Sequence, residues 1–305
     1  MPRIHLSKAF FYLTNYKEDL MKKVMMVSLL TAAMFIIGCG GAVELDAPEI
    51  DTVVMNATSV TVGWIVDTAV EEDPDFSGYN VYVYTDSTEL LVDNGEDLNK
   101  DNATVITGNT YTIADLDDTL MYFIQVRTVN VDEKVGGYNL DVPFVQASPR
   151  PEFTATVKFE LNTPGIDDNC AIKFSDATIM ADSAMVSGGA DMWVDVWPTS
   201  TEDTVAFDSP SHSTQWGTGA RITAFVNMGQ MGLDDLSEVT TEPDDTAYVE
   251  IATGDLVVAK TEDGNYVKIH VDDIDKTLDE VTITYAYQNI PDYPFFSKGV
   301  LKNQD

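Results

Sequence analysis

From Pro48 onward the chain alternates between apolar and polar residues in short runs. In SVTVGWIV (residues 59–66), Val60, Val62, Trp64 and Val66 share one side, with Thr61 and Gly63 on the other. GYNVYVYT (78–85) places Tyr79, Val81 and Val83 together, NTYTIADL (109–116) pairs Tyr111 with Ile113, and MYFIQVRTVN (121–130) turns Tyr122, Ile124 and Val126 inward with Gln125 and Arg127 outward. A period of two is the mark of a strand with one buried face. Turn-forming residues interrupt these runs every 8–12 positions, the spacing of an antiparallel sandwich.

Pro149, Arg150 and Pro151 mark a boundary, because prolines on both sides of one residue end a strand. Beyond it the pattern stays strand-rich but is less regular. EFTATVKFEL (152–161), segments of CAIKFSDATIMADSAMV (170–186), ADMWVDVW (190–197) and ARITAFVNMG (220–229) read as strands. GLDDLSEV (232–239) reads as the single short helix. GDLVVAKTEDGNYVKIHV (254–271) reads as a hairpin turning at Asp263 and Gly264, followed by a final strand in DEVTITYAYQNI (279–290). The expected architecture is all-β, with one sandwich over 48–150 and a second β-rich domain over 151–305.

Residues 48–150 resemble a fibronectin type III domain. The inward Trp64 is similar to that family's second-strand tryptophan, and DFSGYNVYVY (75–84) to its entry into the third strand. Leu116 and Tyr122 in DLDDTLMYFIQV resemble the tyrosine corner, and ASPRP (147–151) the usual close of the module. The polar insert DNGEDLNKDNAT (93–104) departs from the family, and VDEKVGG (131–137) lacks the Arg-Gly-Asp adhesion motif. The resemblance implies an immunoglobulin-like sandwich used as a spacer or a protein-binding platform, and fold alone assigns no function.

The N-terminus carries an address. Lys22 and Lys23 precede an apolar stretch from Val24 to Gly38, the layout of a secretory signal helix over 21–38 and too short to cross a bilayer core comfortably. Its close, Ile36, Ile37, Gly38 and Cys39, resembles the bacterial lipobox, which implies that Cys39 becomes the first mature residue and carries lipid, palmitate included. The competing reading is an uncleaved anchor helix with an incidental cysteine. Residues 1–20 do not fit the signal layout, so Met21 reads as the natural start and 1–20 as an over-extension. Residues 39–47 form a tether.

Composition then narrows the partners. The whole chain has 17 Lys and Arg against 51 Asp and Glu. Removing residues 1–38, with five and two of these, leaves 12 and 49 in a mature chain of 267 residues, a formal charge of −37. Such a surface repels nucleic acid and anionic headgroups. With Cys39 lipidated, Cys170 is left without a disulfide partner, so stability must come from apolar cores.

The C-terminal run AKTEDGNYVKIHVDDI…VTITYAYQ (259–288) resembles the closing hairpin and last strand of HmuY-like lipoproteins, and ADMWVDVW is similar to an earlier strand of that fold. That resemblance implies a β-rich surface domain and, through histidine pairs, haem capture, which makes His212 and His270 the haem candidates. The residues themselves argue against a pair: His212 sits in the loop SPSHSTQWG, and His270 lies on the side of Tyr266 and Lys268, opposite Val267, Ile269 and Val271, and should face solvent. Zinc spacing, a Gly-x-Ser-x-Gly elbow and a phosphate-binding glycine loop are all missing from the sequence. Calcium is the most reasonable ion, in the oxygen-rich loops EEDPDFSG (71–78), DNGEDLNKDN (93–102) and VDDIDKTLDE (271–280). None has EF-hand spacing, and Asp75 reads as a turn former. Trp193, Trp197 and Trp216 offer either an aromatic strip for sugar rings or parts of a second core.

The sequence thus predicts an exported protein lipid-anchored at Cys39, in the outer membrane of a double-membraned host since Gly40 rather than Asp follows the cysteine. Three acyl chains hold firmly, as two already do. Its expected role is non-catalytic binding or scaffolding through a protein or surface partner, with no cofactor. The alternative is a receptor for haem or carbohydrate in the C-terminal domain.

Overall fold

The computed structural model describes residues 45–92, 99–161, 169–198, 203–212, 218–296 and 298–300. The predicted signal helix, Cys39 and Trp216 lie outside the described residues, as does most of the 93–102 loop. The chain from Leu45 on is one compact unit, all-β, with its strands in two sandwich-like bodies.

In the first, β1 (Glu49–Met55), β2 (Val60–Ile65) and β4 (Thr110–Ile113) form one sheet, and β3 (Phe76–Tyr84), β5 (Tyr122–Asn130) and β6 (Val145–Ala147) the other. The alternation read from the sequence sets what lies between them. Val60, Val62, Trp64, Tyr79, Val81, Ile113, Ile124 and Val126 build the core, and the Trp64 ring meets Tyr79 edge-on at 5.2 Å. The Tyr122 hydroxyl accepts the Asp117 amide at 2.8 Å, tying the approach to β5 back on itself. Gly78 enters β3 at φ +145°, where a Cβ would collide with the Ile106 carbonyl, so only glycine lets residues 99–106 run alongside.

The other face of the β3–β5–β6 sheet changes one expectation. Gln125 and Arg127 point away from the core, as predicted, yet both are 2% exposed. The other side of the sheet is roofed by the helix Ser87–Val92 and by residues 131–144: Leu90, Val135 and Phe144 pack with Tyr82, Tyr84 and Phe123. Asn102, from the polar insert, is buried against β3, accepting the Val81 amide at 2.7 Å and donating to Asn80 Oδ1 at 2.9 Å.

The second body begins at β7 (Glu152–Lys158) and continues through β8 (Ala171–Lys173), β9 (Thr178–Met180), β10 (Met192–Pro198), β11 (Asp203–Asp208), β12 (Ala224–Gln230), β13 (Tyr248–Glu250), β14 (Asp255–Lys260), β15 (Tyr266–Asp275) and β16 (Glu280–Tyr287). Two five-stranded sheets, ordered β13-β11-β10-β8-β9 and β12-β14-β15-β16-β7, face each other. Phe159, Phe174, Val194, Phe207, Phe225, Ile269 and Ile283 are among the residues packed between them. The predicted hairpin joins β14 to β15, and Gly264 adopts φ +85° in its turn.

Two expectations fail on the outer face of that hairpin. Residues 232–239 form only the 3-10 turn Leu233–Asp235. Its carbonyls are taken by Lys268, whose Nζ donates to Leu233 O at 2.6 Å and Leu236 O at 2.8 Å. Lys268 and Tyr266 are consequently buried, at 0% and 4% exposure, on a side expected to face solvent; Val239, Phe296 and Tyr266 make a small core there. His270 is partly covered, its side chain 26% exposed.

The boundary at Arg150 is a buried weld. Its amide donates to Asn56 O at 2.8 Å, and its guanidinium reaches Glu152 at 2.7 Å and Asp234 at 3.4 Å. The chain then crosses back: Tyr293 enters the first core, and β17 (Lys298–Val300) pairs antiparallel with β1.

Candidate functional site

Strand period places the candidate face. Along β10, Met192, Val194 and Val196 turn to the core, so Trp193, Asp195 and Trp197 turn outward. Along β11, Val205 and Phe207 are core residues, leaving Thr204, Ala206 and Asp208 outside; on β13, Val249 packs inward and Tyr248 and Glu250 outward. The register aligns Trp193 with Asp208 and Tyr248, Asp195 with Ala206 and Glu250, and Trp197 with Thr204.

The two described tryptophans of the predicted three separate. Trp193 is 3% exposed, packed with Cys170, Met180 and Met185, and its Nε1 donates to Ser209 O at 3.4 Å. It belongs to a core. Trp197 is half-buried and meets Tyr248 edge-on, with ring centroids 5.0 Å apart and planes at 81°. Ala206, small and fully buried, separates their strand positions and leaves room for the rings to lean together. Tyr248, 37% exposed, also lies against the His212 ring at 5.8 Å, tilted by 33°. The result is a row of three aromatic rings across one sheet face.

Carboxylates border the row. His212 Nδ1 is 2.9 Å from Asp208 Oδ1, and Asp208 is 2% exposed. Burial pushes the Asp208 carboxyl up to about 6, opposed by His212 and reinforced by the charge of Asp195. Burial raises Asp195 as well, with Glu160 adding to it; Glu160 bridges to Asp195 in parallel register and is itself 2% exposed. Cys170 donates its thiol to Glu160 Oε2 at 3.6 Å. Burial first, then the Glu160 charge, holds that thiol protonated, so it is a packed thiol rather than a nucleophile. The Asp208–His212 pair has the form of the acid–histidine half of a hydrolase relay. Among the described residues no hydroxyl is hydrogen-bonded to the other ring nitrogen.

The two histidines are not brought together. His212 stands on the outer face of the β10–β11–β13 sheet. His270 lies on the outer face of the opposite sheet, with Nδ1 2.6 Å from Asp272 Oδ1. One iron cannot meet both across the intervening core.

In two of the calcium-candidate loops, 71–78 and 271–280, a carboxylate is used on its own turn. Asp73 Oδ1 accepts the Asp75 amide at 2.8 Å, so Asp73 is the turn-capping carboxylate, and the Asp75 carbonyl accepts Val131 N at 2.9 Å. Asp275 Oδ1 accepts the amides of Thr277 and Leu278 at 2.8 and 3.1 Å. Among the described residues, no group of three or more His, Cys, Asp or Glu is disposed to hold a metal ion.

Sequence reading did not find Tyr248 or the Asp208–His212 pair. Tyr248 sits in a three-residue strand, too short for periodicity, and Asp208 is set apart by its burial and by the turn that folds His212 back, its amide donating to Ser209 O at 2.9 Å.

No family model and no curated protein matches the chain. Among solved structures, a DUF4466 family protein from Parabacteroides merdae is similar over 80% of this chain and 99% of its own, at 13% identity and a TM-score of 0.39. The chitinase ChiA74 from Bacillus thuringiensis is similar over 84% of this chain and 28% of its own, at 10% identity and a TM-score of 0.23. Neither likeness is close enough to support a statement about function.

Proposed function

We propose that this is a non-catalytic binding protein held at the cell envelope by lipid on Cys39, and that its second body binds saccharide. The observation that carries the saccharide reading is the row Trp197, Tyr248 and His212, with Asp195 and Asp208 beside it. Flat rings stack on the apolar face of a pyranose, and the half-buried Asp195 accepts its hydroxyls while buried Asp208 holds the His212 ring, the mix of apolar area and a few placed polar groups that a ligand site needs. The first body, with Trp64 inward, Tyr122 closing its corner and the sheets β4-β2-β1 and β3-β5-β6, supports the fibronectin type III reading and the role of platform. Haem is the weaker receptor reading, since His212 and His270 stand on opposite faces.

A glycan array probed with the mature chain tests the proposal. Trp197→Ala and Tyr248→Ala should each weaken the retained glycan about tenfold, near 1.4 kcal/mol, with unchanged melting. Full binding in both variants, or no glycan retained, would sink the saccharide reading. Labelled palmitate should enter the full chain and not its Cys39→Ser variant; label persisting there refutes the anchor.

A further inference from the structure

A cleft on the first body, between the start of β1 and the segment that leads into β6, has among its lining residues one with an unmet hydrogen-bond donor. The cleft has about 230 Å³ of empty volume, part of it bulk solvent, and is lined by Pro48, Ile50, Tyr138, Val142, Pro143 and Phe144 with Gln125. Gln125 is 2% exposed and its Nε2 has no hydrogen-bond partner. The amide cannot turn over without loss, because its Oε1 accepts both Arg127 Nε at 2.9 Å and Nη2 at 2.7 Å. Arg127 is fixed in turn between the rings of Tyr82 and Tyr138, at 5.1 and 5.3 Å. A guanidinium pulling on the amide oxygen strengthens the N–H groups on the other side. The donor is therefore both pre-set and polarised, and buried donors are seldom left unmade.

We infer that this cleft docks an extended peptide segment of a partner protein, which places a backbone carbonyl on Gln125 Nε2. The enclosed space of the cleft holds about one water, enough for a carbonyl oxygen. Prolines and aromatic rings along the walls suit an extended, proline-containing chain. Beside them Leu140 is 83% exposed and Val142 42% exposed, so apolar side chains of the partner have surface to cover. Charge selects against an anionic ligand: Asp46, Glu49 and Asp141, next to lining residues in the chain, are all exposed. The partner segment is accordingly apolar with basic flanks. This site stands apart from the saccharide face and does not depend on it.

The probe is a phage-displayed library of random dodecapeptides, panned on the mature chain in its Cys39→Ser form. Selected peptides should be apolar or proline-containing with Lys or Arg at the flanks. A synthetic copy should shift the Gln125 side-chain amide signals in the nitrogen-15 spectrum. Leu140→Asp, at a solvent-exposed site, should weaken that copy about tenfold with unchanged melting, and Gln125→Met should weaken it further. The inference is overturned if no peptide is enriched, if enriched peptides bind both variants as they bind the parent, or if a crystal of the complex shows only an ordered water on Nε2.

Discussion

Among the described residues Asp repeatedly closes turns, which gives part of the acidic composition a structural use. Asp86, Asp117, Asp176 and Asp275 each accept the backbone amide of a threonine two residues on, at 2.8, 2.8, 3.1 and 2.8 Å. The threonine hydroxyl also donates at the first two, and hydrogen bonds to the threonine hold Asp86, Asp117 and Asp176 below the ordinary carboxylate value. A lowered folded value means stability that is present above the unfolded value near 3.8 and lost as pH falls through the folded one. Asp208 has the opposite sign. Raised to about 6 by burial, it binds its proton more tightly folded than unfolded, so its contribution falls as pH climbs from about 3.8 to about 6 and is flat beyond. Asp208→Asn removes that dependence. Relative to the parent, the variant should gain about 2 kcal/mol between pH of about 4.5 and about 7.5, read from urea midpoints at each pH. A gap that stays constant across that range would contradict the buried, raised carboxyl.

At the scale of elements, what could be read in the sequence is what a single strand or turn decides locally. The alternation of Val60, Val62 and Trp64 sets their burial because both neighbouring strands keep the same period. The β14–β15 hairpin is legible because a tight turn needs a positive φ, which glycine adopts without strain and Gly264 does adopt. What escaped is the outer layer. Arg127 and Lys268 read as solvent-facing by period two, and both are buried by segments outside their own strands, which the period of a single strand does not report. The candidate face divides the same way: Trp197 is visible as a tryptophan near a strand end, whereas its partner Tyr248 is defined only by sheet order. Lys268 is the clearest test of that outer layer. Its Nζ satisfies two carbonyls of the 233–236 turn and lies 5.1 Å from the centre of the Phe296 ring. Lys268→Met keeps the apolar stem and leaves the carbonyls unmet, at about 1–3 kcal/mol. Hydrogen exchange should quicken at Val239 and Phe296, whose amides bond across this layer, and stay slow at Ile269 within the hairpin. Equal protection at all three would show that the lysine is dispensable to the turn.

For the whole molecule, the question is why two sandwiches joined at a proline-flanked boundary form one compact unit. Arg150 supplies part of the answer, and the returning C-terminal segment supplies the rest. Tyr293 is 7% exposed inside the first core, its hydroxyl donates to Gln146 O at 2.9 Å, and its ring touches Phe295 at 5.1 Å. Three residues after Tyr293, Phe296 packs in the second body's outer core, and its amide donates to Ser237 O at 2.7 Å. One short segment thus spends its side chains on both bodies, so neither can lose its packing without loosening the other. Tyr293→Ala empties a large site in the first core, at about 3–5 kcal/mol, and removes the link with it. Calorimetry of the mature chain should show one transition for the parent and two for Tyr293→Ala, the first body melting earlier. Tyr293→Phe loses only the hydrogen bond to Gln146, about 1 kcal/mol, and should keep a single, slightly lower transition. If Tyr293→Ala also melts in one step, Arg150 and the buried linker are sufficient to couple the bodies, and the crossing segment only covers the surface on which it lies.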